Sequence, residues 1–466
     1  MLFTSLEFLV LFLPAVLAVA LRLRGQALLR WIASTSVVFY AFAGHWWFII
    51  PMLVTTVVDY RVAIAIERES RPAVRRGILI LSLVGNLGML AYFKYSGLLA
   101  ASLEQAIGAV GLGGSGWSPR WIEVILPAGI SFYTFQTLSY VLDVWRRAAP
   151  AERNFVRFVG FVSFFPHLVA GPLTRHHQLI PQLAAIARDG IAPRWRAGVF
   201  LFGLGLAKKV LIADRLGNLV DPMLAHPDQL DLLASWLTLL GYSFQIYFDF
   251  SGYSDMAIGL GRLFGIELPQ NFNSPYKAVS PRDFWRRWHM TLSAWLRDYL
   301  YIGLGGNRCS PRRRRLNLML TMLLGGLWHG ANWTFAAWGL WHGGLLVLHQ
   351  ALPAWDRRLS LLWQRNVTFC LVTLGWVFFR AETFTHAGHW FAGLAGAHGL
   401  AHGLTIEIVA LVGLVVLCLG IVRLCPNSLE IPLEWLAPLP QAALGVAVAV
   451  SILLMSYSSK FLYFQF

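Results

Sequence analysis

The chain has 466 residues, 57% of them hydrophobic and only 13% charged. Soluble domains run at about 45–50% apolar and about 25% charged, so composition excludes an ordinary soluble enzyme and points to a polytopic membrane protein. The net charge of +15 would suggest nucleic acid in a soluble chain, but here the arginines gather in short loops between apolar runs, which is the positive-inside pattern.

The first apolar run, 6–21, has no preceding positive region, Glu7 being the only early side-chain charge, and has no small-residue cleavage site. It is expected to be a retained span and not a cleaved leader. Arg22, Arg24 and Arg30 follow and place that loop in the cytosol, with the N-terminus outside. Spans are expected over 31–44, 46–64 and 77–93, with a cytosolic loop at 61–76. The Gly-rich stretch 97–116 reads as an external turn or short amphipathic helix. A crossing over 123–144 is interrupted by Pro127 and Gly129 and carries Ser131, Thr134, Gln136 and Tyr140. Arg146, Arg147, Arg153 and Arg157 then return the chain to the cytosol.

The run 158–173 is too short to span and ends in FPHLVAGPL. Broken backbone at membrane depth survives only where protein or trapped water satisfies it, so a re-entrant segment is expected, followed by a cytosolic stretch at 174–196. Over 197–220, Lys208 and Lys209 interrupt an apolar pattern and are expected to snorkel to the interface. The loop holding Asp221, Asp228 and Asp231 has no Lys or Arg and should be external. The span 232–261 carries Asp249, Ser251, Tyr253, Ser254 and Asp255, which should face the bundle interior. Further spans are expected near 366–380, 404–424 and 438–457. The total is roughly 11–13 transmembrane or re-entrant helices in one all-α domain, 1–466, with no internal repeat. Cys309, Cys370, Cys418 and Cys425 form no CxxC pair. His176 and His177 are adjacent, no HExxH spacing occurs, and no metal set is expected.

The chain is organised around 284–342. FWRRWHMTLSAWLRDYLYIGLGGNR carries His289, and LGGLWHGANWTFAAWGLWHG carries His329 and His342. An ionisable group at the bilayer centre costs at least about 2.5–3.5 kcal/mol, so such a residue is a functional hypothesis by default. A neutral imidazole is the natural general base near physiological pH. A lone buried His reads equally well as structural; the second His tilts His329 toward function. Phe284, Trp288, Thr291, Leu292, Trp295, Tyr299 and Ile302 fall at helical spacing, which predicts one amphipathic helix with His289 beside its apolar stripe. Arg286, Arg287 and Arg297, among aromatics, could hold a phosphate-bearing ligand, while Arg312–Arg315 are most simply a stop-transfer cluster.

At these residues the sequence resembles the membrane-bound O-acyltransferase family, nearest its bacterial alginate O-acetyltransferase-like branch. The likeness also rests on GISFYTFQTLSYVLDVWR, NFVRFVGFVSFFPHLVAGPLTR and YFDFSGYSDMAIGLGRLFGIELPQNFNSPY, and the terminal YFQF looks like the alginate side. The resemblance implies a ring of tilted helices around a central funnel, in a bacterial inner membrane. It implies transfer of an acyl group, most simply acetyl, from a cytosolic acyl-CoA with no bound cofactor. The acceptor would be a hydroxyl of an exported polysaccharide or of a Ser-hydrolase-like relay partner outside the membrane. His329 matches the family's near-invariant histidine and His289 its second active-site position. Read from the residues alone, Arg286 and Arg287 would bind the donor's phosphates, Trp288 and Trp295 would pack on the donor, and adjacency to His329 would put Asn332 and Trp328 near the oxyanion. His167 and Trp145 depart from the family pattern, where Gln and Tyr are expected. The rival readings are a transporter of lipid or polysaccharide precursors and an acyltransferase acting on a lipid or protein.

The charge pattern makes a direct prediction. Single cysteines placed in the loops 22–30, 61–76, 146–157 and 357–365 should resist an impermeant thiol reagent in intact cells. Efficient labelling at two or more of them would overturn the topology.

Overall fold

The computed structural model describes residues 1–109, 124–352, 359–401, 403, 405–432, 438–455 and 462. Within them the protein is 78% helical with no strand, an all-α polytopic membrane protein. Among the described residues, three helices are long and apolar enough to cross a bilayer outright: Trp46–Arg68, Pro72–Ala109 and Ile406–Leu424. The remaining helices are shorter, broken or carry polar groups. The chain divides into two compact units, Met1–Arg194 with Gly261–Leu268, and Trp195–Leu260 with Pro269–Phe466.

In the first unit a π-helical turn, Glu7–Phe12, leads into α1 (Leu13–Ala20), and α2 (Gly25–Ala43), α3 (Ile49–Arg68) and α4 (Pro72–Ala109) follow. Of the turn or short helix expected from 97 onward, the described part is helix, continuous with α4 as far as Ala109, because isolated glycines lower helix propensity without ending a helix; residues 110–116 lie outside the described part. Asp59 of α3 is buried and accepts hydrogen bonds from Ser82 (2.8 Å) and Asn86 (2.9 Å) of α4. This supplies the polar tie that helices need where no hydrophobic force separates protein from lipid.

The next expected crossing is helical only from Ile130, as α5 (Ile130–Trp145); residue 123 lies outside the described part. Gly129 turns the chain at φ 72°, and a Cβ there would lie 2.8 Å from the Leu168 carbonyl oxygen. Both the turn and the close approach call for glycine. The segment FPHLVAGPL is broken as expected: it follows α6 (Phe155–Ser163), makes a single turn, α7 (Phe165–Leu168), and then leaves helix. Side chains satisfy its backbone. Gln136 of α5 donates to the Phe161 carbonyl at 2.8 Å and lies 3.1 Å from the His167 ring nitrogen, and the Phe165 N–H donates to Ser36 Oγ at 3.1 Å. His167 thus closes a polar network with Gln136. The unit ends in α8 (His176–Asp189), outside the spanning helices, where burial pushes the His176 imidazole down to about 4 despite the opposing effect of Asp143.

The second unit contains α9 (Trp195–Ala207), a π turn Lys208–Ala213, α10 (Asp214–Leu224) and α11 (Leu232–Leu263), whose last three residues group with the first unit. Here the expected snorkelling is overturned. Lys209 is 4% exposed, and its ammonium lies between Asp214 (2.8 Å) and Asp249 (2.7 Å). Lys208 bonds Asp255 (2.7 Å) and Ser428 Oγ (2.6 Å). Carboxylates already inside the bundle give these ammoniums a nearer partner than water. Removing one partner from such a buried pair typically costs about 3–5 kcal/mol. The same contacts put the Asp249 to Asp255 patch on the interior face of α11, as expected; Asp249, Ser251 and Ser254 are all buried.

The remaining elements are α12 (Pro281–Arg287), α13 (Met290–Trp295), a π turn Leu296–Tyr301, α14 (Pro311–His329) and α15 (Trp333–Ala351). After these come α16 (Leu361–Arg380), α17 (Phe384–Leu394), α18 (Ile406–Leu424) and α19 (Pro438–Leu454). The expected last span is helical from Pro438 to Leu454; its end at 456–457 and the terminal YFQF lie outside the described residues.

Candidate active site

The single helix expected over 284–302 is in fact two helices and a π turn, and the break falls on His289. Ser280 caps α12 by accepting from the Asp283 N–H at 3.2 Å, with Pro281 at the first helical position. The helix stops at Arg287. Trp288 is extended, and His289 takes the left-handed conformation at φ 42°. A non-glycine residue there is uncommon and costs on the order of 1–3 kcal/mol, so the surroundings must impose it.

Asn271 imposes it. Its carbonyl oxygen accepts from the Met290 N–H (2.9 Å). Its side-chain Oδ1 accepts from Thr291 Oγ1 (2.9 Å) and lies 3.1 Å from His289 Nδ1, while its Nδ2 donates to Ser254 Oγ of α11 at 3.3 Å. On the other side of the break, Asn273 N–H donates to the Arg287 carbonyl at 2.9 Å. The 271–273 segment is therefore stapled to both ends of the interruption. These bonds also fix a tautomer. The backbone N–H of Thr291 faces the same Asn271 Oδ1 at 3.4 Å, and an N–H can only donate, so Oδ1 is the acceptor. His289 Nδ1 then carries the proton, and its lone pair is on Nε2.

His329 is the last residue of α14, where Gly330 turns extended. Its ring centroid lies 6.2 Å from that of His289. Trp328 (5.0 Å), Trp338 (5.1 Å) and Phe379 (5.5 Å) wall it in, and Phe250 meets His289 edge-on at 4.7 Å. His289 is 1% and His329 6% exposed. The two histidines singled out forty residues apart in the sequence thus face each other in one aromatic chamber built from α11, the α12–α13 break, α14, α15 and α16. His342 lies behind Trp338 (5.0 Å) and stacks on Phe284 at 6.1 Å. A position for His329 near the bilayer midplane would constrain the tilt of α14. Eighteen residues separate it from Pro311 (329 − 311) beside the arginine cluster, about 27 Å along a helix axis. An upright α14 would carry it across most of a hydrocarbon layer about 30 Å thick, so a midplane position requires a steep tilt.

The residues expected to bind substrate divide. Trp288 is completely buried between Phe284 (5.5 Å), Phe272 (5.1 Å) and Trp376 (4.9 Å), so it is wall and has no face left for a donor. Trp295 is buried against Tyr299 (5.2 Å). Arg287 is occupied by Asp283 (2.9 Å) and by the Asn273 carbonyl (3.3 Å). Asn332 caps α15, accepting from the Thr334 N–H (3.2 Å) and donating to the Glu382 carbonyl (2.7 Å), which fixes it as a loop clamp. Arg286 is exposed, and Arg297, also exposed, pairs with Asp298 at 2.6 Å. Sequence reasoning missed Asn271, whose role depends on a contact eighteen residues away (289 − 271). Nothing local singles it out, since Gln270, Asn273 and Ser274 stand beside it. A cavity of about 790 Å³ lies elsewhere in this unit, lined by Asp228, Asp231, Glu407, His226 and His398, and includes neither catalytic candidate.

The model of the membrane-bound O-acyltransferase family matches residues 146–382, which contain both histidines. The chain belongs to that family. It is 45% identical to a Pseudomonas aeruginosa protein named probable alginate O-acetylase AlgI, over 82% of this chain and 72% of that one. It is 39% identical to the peptidoglycan O-acetyltransferase of Helicobacter pylori, over 80% and 74%. The teichoic acid D-alanyltransferase of Bacillus subtilis is 26% identical over 55% of this chain and 69% of its own. Membership makes the protein an O-acyltransferase and sets the transporter reading aside.

The glycines beside His329 separate two kinds of contact. A Cβ on Gly326 would lie 2.3 Å from the Phe335 carbonyl oxygen, backbone of α15, whereas one on Gly325 would meet only the tip of Leu296 at 3.1 Å. Bulk therefore meets a side-chain tip at Gly325 but backbone at Gly326, where helix packs on helix. Gly325→Ala should melt within about 1 kcal/mol of wild type. Gly326→Ala should lose about 1–3 kcal/mol from overpacking, read as a lower melting temperature in detergent.

Proposed function

We propose that this protein moves an acyl group, most simply acetyl, from a cytosolic acyl-CoA to a hydroxyl of an exported polysaccharide or of an extracytoplasmic relay partner, working in a bacterial inner membrane. The observation that carries this reading is the pair of buried imidazoles 6.2 Å apart, one of them locked in orientation by Asn271. That spacing puts both rings within reach of one reacting group once the surrounding side chains part.

In this reading the acceptor hydroxyl attacks the thioester carbonyl while His329 takes its proton. The C–O bond forms, the carbonyl becomes a tetrahedral oxyanion, and its collapse breaks the C–S bond. The departing thiolate recovers the proton from the His329 imidazolium. His289, with its Nδ1 proton committed to Asn271, offers the Nε2 lone pair beside His329 and so stabilises the imidazolium that His329 becomes. The aromatic wall lowers the local dielectric, which strengthens each of these interactions. Arg286, exposed one turn before the break, is the arginine of this helix best placed to meet the donor's phosphates; Arg287 supports the break instead. Because the rings are 1% and 6% exposed, substrate entry requires the surrounding side chains to part, and gating of this kind commonly limits turnover.

The test is His329→Ala assayed with labelled acyl-CoA. Transfer should fall by about 10²–10⁴-fold, with expression and detergent stability near wild type. A variant that keeps more than about a tenth of the wild-type rate would contradict a general-base role.

A further inference from the structure

The first unit carries a cluster that the acyl-transfer chemistry does not use. Asp143, three residues from the end of α5, is brought to His176 and His177, the first two residues of α8. Asp143 Oδ2 lies 3.6 Å from His176 Nδ1, and one ligand atom from each of the three side chains falls within 4.8 Å of the others. The two imidazoles stand edge to face, 5.3 Å apart. Sequence spacing offered only an adjacent His pair. The fold adds the carboxylate from thirty-three residues upstream (176 − 143).

We propose that Asp143, His176 and His177 bind one first-row divalent transition metal, with Zn²⁺ the best fit, and that the ion clasps the start of α8 to the end of α5. The donor set selects the metal. Two imidazoles and one carboxylate suit Zn²⁺ and its neighbours, whereas Mg²⁺ and Ca²⁺ call for mostly oxygen ligands. Metal–ligand bonds of about 2.0–2.2 Å put tetrahedral ligand atoms roughly 3.4 Å apart. The Asp143–His176 distance is already close to that, and His177 reaches it by side-chain rotation. His177 is exposed, so an ion can enter without unfolding the unit. Three protein ligands leave a further coordination position. Arg146, Arg147 and Arg175 flank the cluster in sequence, so that position favours an anion or hydroxide. The site lies wholly within the first unit, and its failure would leave the histidine chamber of the second unit untouched.

The experiment uses full-length, tag-free protein in detergent, stripped with a chelator and titrated with Co²⁺, then Zn²⁺. Stoichiometric Co²⁺ should give visible d–d absorption that Zn²⁺ abolishes, and Zn²⁺ should raise the melting temperature. His177→Gln, at an exposed position, should leave the metal-free melting temperature unchanged and weaken Co²⁺ binding about tenfold or more; Asp143→Asn should weaken it comparably. No absorption with wild type, or the same absorption and affinity in both variants, would overturn the site and leave Asp143 and His176 a plain carboxylate–imidazole contact.

Discussion

The side-chain carbonyl of Asn271 is the contact on which the rest of the candidate site depends. It accepts from Thr291 and from His289 while the Asn271 backbone accepts from Met290. Without those acceptors, His289 would lose its ties to the 271 segment at φ 42°, and the periodicity of 281–301 would favour a continuous amphipathic helix. Such a helix would turn the imbalance of aromatics and arginines along one stripe and would rotate His289 away from His329. The strain of a left-handed histidine is thus exchanged for an imidazole with a fixed tautomer facing a second one. Interruptions of this kind, together with the π turn that follows at Leu296–Tyr301, concentrate at functional sites because only a dense network of contacts maintains them.

A second constraint is the management of polar groups inside an apolar bundle. The Lys209–Asp214–Asp249 and Lys208–Asp255–Ser428 contacts hold α11 against the turn before α10. That same α11 supplies Phe250 and Ser254 to the chamber. The buried charges therefore act on the site indirectly, by fixing the helix that backs His289. Gln136 and His167 do the equivalent for the broken segment of the first unit. In each case a side chain stands in for the water that a membrane excludes.

Much of this was legible in the sequence, and what was not has identifiable causes. Composition and charge placement were sufficient for the membrane class, and the prolines and glycine of FPHLVAGPL for its broken backbone. The polar patch from Asp249 to Asp255 pointed inward because nothing else is tolerable at that depth. His289 and His329 stood out as ionisable groups in apolar surroundings, and the family resemblance named the same pair. Contacts between distant segments were illegible. Lysines at 208 and 209 look like interfacial residues until the aspartates of α11 and α10 are placed beside them. Trp288 looks like a platform for a ligand until Phe272 and Trp376 close over it. Asn271 carries no periodicity and no motif spacing, so its grip on the helix break appears only in three dimensions. The same holds for Asp143 beside His176.

The central claim is that chemistry occurs between His289 and His329. A structure determined with an unreactive thioether analogue of acetyl-CoA tests it most directly. The analogue's carbonyl should lie in the aromatic chamber, within about 3–4 Å of a ring nitrogen of His329 or His289, with the phosphates toward the arginines of α12. An acyl group ordered elsewhere, as in the acidic cavity lined by Asp228 and Asp231, with both imidazoles still packed shut, would contradict the account.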